Sequence, residues 1–197
     1  MSQELSVVGK RLPRPDAFEK ATGAAKYTVD IKMTGMLVGK VLRSPHPHAR
    51  ILKIDTSKAK TLPGVAVVIT RDDTPKKVFT RCKGDVTLVD PEGAILRDES
   101  VFNDKVRFVG DAVAAVAAIN ESVADEALGL IEVEYEVLPA VFDSIEAMKP
   151  GAPRIHEFAK GNIALHLTHT EGDVEKGFQE SDYIVEETFQ TSKQKLC

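Results

Sequence analysis

The stretch NESVADEALGLIEVEYEVLPAV, residues 120–141, constrains the fold more than any other part of the chain. Ala124, Ala127, Leu128 and Ile131 recur at helical spacing, so a helix here must bury one face. Asn120 or Ser122 can cap that helix, with Asp125 or Glu126 near its first turn. VEYEVLPAV then alternates as a strand. Just upstream, VRFVGDAVAAVAAI (106–119) is a nearly continuous run of small β-formers, the pattern of a strand covered on both faces. Strand, helix and strand in this order predict a βαβ crossover, and with it an α/β (α+β) chain built on a mixed sheet with a few helices.

The first half adds strands. AAKYTVDI (24–31) and MLVGKVLRS (36–44) are rich in β-formers and are separated by the MTG turn. Pro45 and Pro47 must stop the second, because neither has an N–H to donate to a ladder. In RILKIDT (50–56), alternation puts Leu52, Ile54 and Thr56 on one face, which is expected to be the buried one. SKAKTLPG suits a short helix ended by Pro63-Gly64, followed by the buried strand VAVVIT (65–70). Residues 71–104 are irregular, with turn-prone DDTPKK (72–77) and DPEG (90–93), and are expected to hold loops and short strands. DSIEAMKPG (143–151) reads as a short helix ended by proline and glycine.

Beyond Met148 the Pro/Gly-rich KPGAPRIHEFAKGN marks a linker, giving domains at 1–148 and 162–197 joined by residues 149–161. The last segment reads as a strand from Asn162, a turn, a helix capped by Asp173 and a strand from Asp182 to about Thr191. A pair of strands and one helix bury too little apolar surface to stand alone. This tail is therefore expected to be poorly ordered or to pair with another copy or chain.

Composition excludes several function classes. The 43% hydrophobic and 28% charged fractions are those of an ordinary globular domain. A net charge of −4 leaves no basic footprint for nucleic acid, and KRLPR (10–14) and TPKKVFTR (74–81) read as solvated loops. No run approaches the ~18 apolar residues of a membrane span. MSQELSVVGKRLPRPD lacks a signal-peptide core, so a cytoplasmic location is expected. Cys82 and Cys197 make neither a disulfide framework nor a zinc site, and are read as reduced thiols.

Five segments in colinear order carry a family resemblance: VGKRLPRPDAFEKATGAAKYTVDI, LVGKVLRSPHPHARILKIDTSKA, LPGVAVVIT, KVRFVGDAVAAVAA and ALGLIEVEYEVLPAVFD. From about Val8 to Asp143 the chain resembles the N-terminal a/b hammerhead domain of the molybdopterin-binding large subunit of the xanthine dehydrogenase and aldehyde oxidase family. GDVEKGFQESDYIVEETF resembles the start of the first molybdopterin-binding domain of such subunits, although TSKQKLC stands where the family commonly continues into a Gln-His stretch and Met-Glu-Pro. The tail is therefore read as a truncated start of that domain, whether artificial, frameshifted or naturally split.

The resemblance implies a molybdenum hydroxylase in which cofactors carry the chemistry and protein positions them. It implies a molybdopterin-type molybdenum cofactor in the parent enzyme, with 2Fe-2S centres and FAD on partner chains or domains. The implied partners are the rest of the molybdenum subunit and the iron–sulfur and FAD subunits, with a homo-oligomer left open. The family's glycine-rich loop and catalytic glutamate match nothing here. No catalytic, cofactor-binding or metal residue is carried over, and these 197 residues by themselves are expected to be a non-catalytic scaffold. The alternative is a free-standing assembly or interaction module that keeps the same fold.

The chain's own chemical candidates are weaker. In VLRSPHPHARI (41–51), His46 and His48 could face one way, but a metal needs further converging ligands, and His156, His166 and His169 lie beyond the domain core. Arg43 and Arg50 could hold an anion, but pinning the loop to carboxylates such as Asp55 or Asp30 is favoured. GDAVAAVAA (110–118) has no dinucleotide glycine pattern. Glu132, Glu134 and Glu136 share one strand face, which reads as a solvated or subunit-facing edge. Ser44 and Ser192 lack a nucleophile elbow, and Lys10, Arg11 and Arg14 read as an exposed arm.

Overall fold

The computed structural model describes residues 6–79, 99–163, 166 and 168–192. The DPEG turn, Cys82 and Cys197 lie outside them. Among the described residues, two three-stranded sheets form the core. In the first, β5 (Ala112–Ala118) lies between β1 (Val38–Arg43) and β3 (Val65–Ile69). In the second, β2 (Ala49–Asp55) lies between β4 (Lys105–Val106) and β6 (Glu132–Val137). All of these pairings are antiparallel.

The helices close the first sheet. Ser57–Thr61 forms α2 and Glu121–Gly129 forms α3, whose Asn120 cap accepts from the Val123 N–H at 2.9 Å. Ala124, Ala127 and Ile131 pack on Ala114, Val116 and Ala118 of β5. Small residues on both sides let helix and sheet approach closely, and burying their apolar surface stabilises the layer by roughly 25 cal/mol per Å². Lys40 of β1 ties the two elements at the rim, reaching Asp125 at 2.6 Å and Glu121 at 2.9 Å. On the other face of β5, Val113 joins Ala49 and Val106 in a second cluster. One strand thus serves both cores, as its nearly continuous apolar pattern requires.

The α/β class holds, but its connectivity differs from the expected crossover. β5 and β6 flank α3 yet belong to different sheets, so no parallel βαβ unit forms. The run 106–119 is not continuous: β4 ends at Val106, and a turn with Gly110 at φ +93° precedes β5. That conformation suits glycine, which has no Cβ to clash.

Residues 24–31 do not form a strand. A 3-10 turn spans Thr28–Asp30, where the Asp30 carboxylate accepts from the Tyr27 N–H at 2.9 Å and offers the backbone a local alternative to a ladder. In β2 the register slips between Ile51 and Lys53. Leu52 is turned out to 55% exposure, while Ile51 and Ile54 both pack on the second cluster, so strict alternation holds for Ile54 and fails at Leu52. β3 is half-open rather than buried, because a similar slip between Val65 and Val67 leaves Val67 exposed.

The expected short helix appears as α4 (Ser144–Ala147), and the N-terminal arm carries the six-residue α1 (Ala17–Thr22). Asp143 caps α4 by accepting from the Ile145 and Glu146 N–H groups at 2.8 and 2.9 Å. In the tail, α5 (Val174–Gln179) has the predicted Asp173 cap, accepting from the Lys176 N–H at 3.0 Å. The strand expected from Asp182 is absent. Residues 182–192 pair with no described sheet edge, and Tyr183 and Phe189 stand 91% and 90% exposed.

Candidate functional site

The turn SPHPH crosses from the first sheet to the second, between β1 and β2. Ser44 is buried; its N–H donates to the Asp111 carbonyl and its own carbonyl accepts from Gly110, both at 2.8 Å. Its Oγ accepts from the His46 N–H at 3.0 Å, a local bond that replaces the ladder the two prolines forbid. The His46 ring meets Tyr135 edge to face at 4.9 Å. Burial raises the Tyr135 phenol above its ordinary pKa, partly offset by a hydrogen bond with Ser44.

His48 is buried, and its Nδ1 lies 2.6 Å from the Pro139 carbonyl oxygen. A carbonyl only accepts, so Nδ1 carries the proton. The Leu138 N–H donates to the His48 carbonyl at 2.9 Å and clamps the end of β6 to the turn. Nε2 is buried without a hydrogen-bond partner among the described residues. A metal there would need converging ligands, and no group of three or more His, Cys, Asp or Glu side chains among the described residues supplies them.

The arginines use other partners than expected. Arg43 Nη1 donates to the Gly110 carbonyl at 2.9 Å, and Arg50 Nη1 to Glu136 at 2.5 Å. Asp55 instead accepts from the Ser57 N–H and hydroxyl, and Asp30 from Tyr27. Cross-strand geometry decides this, because Arg50 and Glu136 are directly paired in register, as are Lys53 and Glu134. Glu132 binds Lys58 of α2. The three glutamates thus lie along an exposed strand face lined with cations. Ser192, His166 and His169 are exposed, as are Arg11 and Arg14, and Arg14 pairs with Asp16 at 2.5 Å.

Two features escaped sequence reasoning. Asp111 is buried and accepts from the Arg107 and Ala112 N–H groups at 3.1 and 3.0 Å; the only local signal was a Gly-Asp turn. Lys105 is also buried, its Nζ 2.6 Å from Glu157, and Arg107 Nη2 lies 3.7 Å from the same carboxylate. The Lys105 hydrogen bond holds the Glu157 carboxyl at about 2, well below its ordinary 4.5, with charge from both cations adding to it. Asn162, at φ +56°, completes the stitching: its side chain accepts from the Ile155 N–H and donates to the Ala147 and Pro153 carbonyls, each at 2.9 Å. Residues 153–162 are thereby fastened to the first unit.

Two antiparallel sheets joined by a proline-locked turn, with helices on one of them, define a small α/β domain of the hammerhead type. Residues 22–139 match the family model described as "Aldehyde oxidase and xanthine dehydrogenase, a/b hammerhead domain". The chain belongs to that family, and is homologous to the N-terminal part of its molybdenum large subunits.

Among curated relatives, a probable xanthine dehydrogenase subunit of Bacillus subtilis is 43% identical over 182 residues, covering 92% of this chain and 23% of the relative. The nicotinate dehydrogenase large molybdopterin subunit of Eubacterium barkeri is 36% identical, covering 98% of this chain and 42% of the relative. Among solved structures, the aldehyde oxidoreductase of Desulfovibrio desulfuricans superposes with a TM-score of 0.65 at 32% identity, covering 76% of this chain and 17% of that one. The chain thus spans 23% to 42% of the length of these two curated relatives. No described helix is long and apolar enough to cross a membrane.

Proposed function

We propose that the chain is the N-terminal scaffold portion of a molybdenum hydroxylase large subunit and is inactive by itself. Residues 1–148 form the hammerhead domain, 149–161 the connection, and 162–197 the start of a molybdopterin-binding domain. The observation that carries the reading is how the polar groups of the central turn are used. Ser44, Arg43 and Arg50 all spend their hydrogen bonds on the domain's own backbone or strands, and His48 spends its proton on Pro139. What the chain leaves open is apolar: Phe18, Phe142, Tyr183 and Phe189 are all largely exposed, as expected of surfaces that other parts of a larger subunit cover.

On this reading, the partners are the remainder of the molybdenum subunit and chains or domains carrying 2Fe-2S and FAD groups. The molybdenum cofactor supplies hydroxylation chemistry in the assembled enzyme, and residues outside this chain hold it. Substrate choice would be set there too, because pocket shape and not fold decides it.

The test is to isolate the native protein from its source cells with an antibody raised against residues 1–150, then measure intact mass and molybdenum. A mass several times 21.5 kDa with molybdenum supports the proposal. The same mass of 21.5 kDa with molybdenum and partner chains supports it in a split form. A 21.5 kDa protein without molybdenum or partners overturns it in favour of a free-standing assembly module.

A further inference from the structure

A cavity of about 230 Å³ opens between the segment that follows β3, the approach to β4 and the stitched loop around Glu157. Its walls include Arg71, Lys76 and Arg107, with Asp104 and Glu157 as the carboxylates. Asp104 is engaged by Arg71 at 2.7 Å, and Glu157 by the buried Lys105 at 2.6 Å. The lining thus carries three cations against two carboxylates, although the whole chain carries −4. A net positive charge gathered in a concave site of low-dielectric walls concentrates anions there.

The hydrogen-bonding inventory agrees with the charge. Arg71 commits one guanidinium nitrogen to Asp104, and Lys76 has no ion pair among the described residues. The Ser100 hydroxyl lies 2.7 Å from the Asn103 amide oxygen and 2.8 Å from the Phe102 carbonyl, and so turns inward to its own loop. Arg107 spends its Nε on the Ile155 carbonyl at 3.2 Å and its Nη1 on the Lys105 carbonyl at 3.3 Å, so Arg71 and Lys76 carry the open donors of the polar wall. Val78 and Phe158 supply an apolar wall beside them. The cavity is below the ~300–1,000 Å³ usual for drug-sized ligands, so its occupant is small.

We infer that this cavity is a binding site for a small oxyanion, a carboxylate or a phosphate, held by Arg71 and Lys76 with the positive charge of Arg107 beside them. Guanidinium forks match the oxygen geometry of both groups, and Lys76 adds a movable point charge. The site is independent of the turn at Ser44–His48 and of the family assignment. It would give the domain a ligand of its own.

The test uses the full 197-residue chain and two probes, inorganic phosphate and benzoate, titrated calorimetrically against sodium chloride at matched ionic strength. Backbone amide shifts locate the binding. Saturable one-to-one binding with shifts confined to Arg71–Val78 and Asn103–Arg107 is expected. Benzoate alone would identify a carboxylate with an apolar end, and phosphate alone a phosphate-type ligand. Lys76→Met is expected to weaken binding about tenfold, the loss of one charge-assisted hydrogen bond, with the unliganded melting temperature unchanged. Lys76→Arg should restore it. Absence of saturable binding by either probe, binding mapped elsewhere, or equal affinity in Lys76→Met would overturn the inference.

Discussion

Gly64 offers the sharpest test of the packing argument. It ends the α2 turn at φ +92°, and its carbonyl accepts from the Ile119 N–H at 2.9 Å. A Cβ added there would meet Ile119 Cδ1 at 2.9 Å, Ile119 Cγ1 at 3.0 Å and Val123 Cγ1 at 3.3 Å. Gly64→Ala therefore carries two costs. The left-handed backbone costs an L-residue roughly 1–2 kcal/mol. Crowding of Ile119 and Val123 adds about 1 kcal/mol, the low end for overpacking, since Ile119 is exposed and its side chain can give way.

Gly151 isolates the first cost, because it has φ +85° and nothing within 4 Å of an added Cβ. Urea denaturation of both variants should show Gly64→Ala destabilised by about 2–3 kcal/mol and Gly151→Ala by about 1–2 kcal/mol, read as midpoint shifts at constant slope. Equal losses in the two variants would refute the steric argument. A neutral Gly64→Ala would refute both parts.

Three further outcomes follow from the same structure. Glu157, held at about 2 against an ordinary 4.5, stabilises fully above pH 4.5 and loses that contribution as the pH falls toward 2. Its side chain is 72% exposed, so solvent screening reduces the contribution to about 1 kcal/mol. Glu157→Gln should lose that amount at pH 7 and show a flatter acid limb in pH-dependent denaturation; an unchanged limb would rule out the clamp. Asn120→Ala removes the α3 cap and should cost about 1 kcal/mol, with Asn120→Asp close to wild type in thermal melts. Limited proteolysis of dilute monomer should cut first within residues 182–192, and protection of that whole tail would count against its reading as an uncovered surface.

The local signals were legible where a single residue or period decides the outcome. Asn120 and Asp173 cap their helices because a short acceptor next to free N–H groups needs no distant partner. β5 could be read as covered on both sides because its alanines and valines lack a polar face. The slips in β2 and β3 could not be read, since a bulge is set by the neighbouring strand, and they turn out Leu52 and Val67, which the sequence pattern keeps inside. Sheet membership was equally hidden: α3 returns the chain to a second sheet, and nothing in residues 120–141 distinguishes that from a return to the first. At the central turn, the histidines and arginines were found, but Pro139, Gly110 and Glu136 were not identifiable as their partners, because those contacts span 67 to 91 residues. Lys105 and Glu157, separated by 52 residues, were missed for the same reason.

The pairing of β1 and β3 around β5, and of β2 against β6, also sets an order of events during synthesis. β1, β2 and β3 are complete once Ile69 has been made, yet neither sheet has its remaining strands until residues 105–137 follow. At about 5–20 residues per second, the wait from Ile69 to Ala112 lasts roughly 2–9 s. Throughout that interval three nascent strands carry unpaired edges on the ribosome. Residues 105–137 then supply the missing strands of both sheets within one short span of translation, so neither sheet can close before they are made.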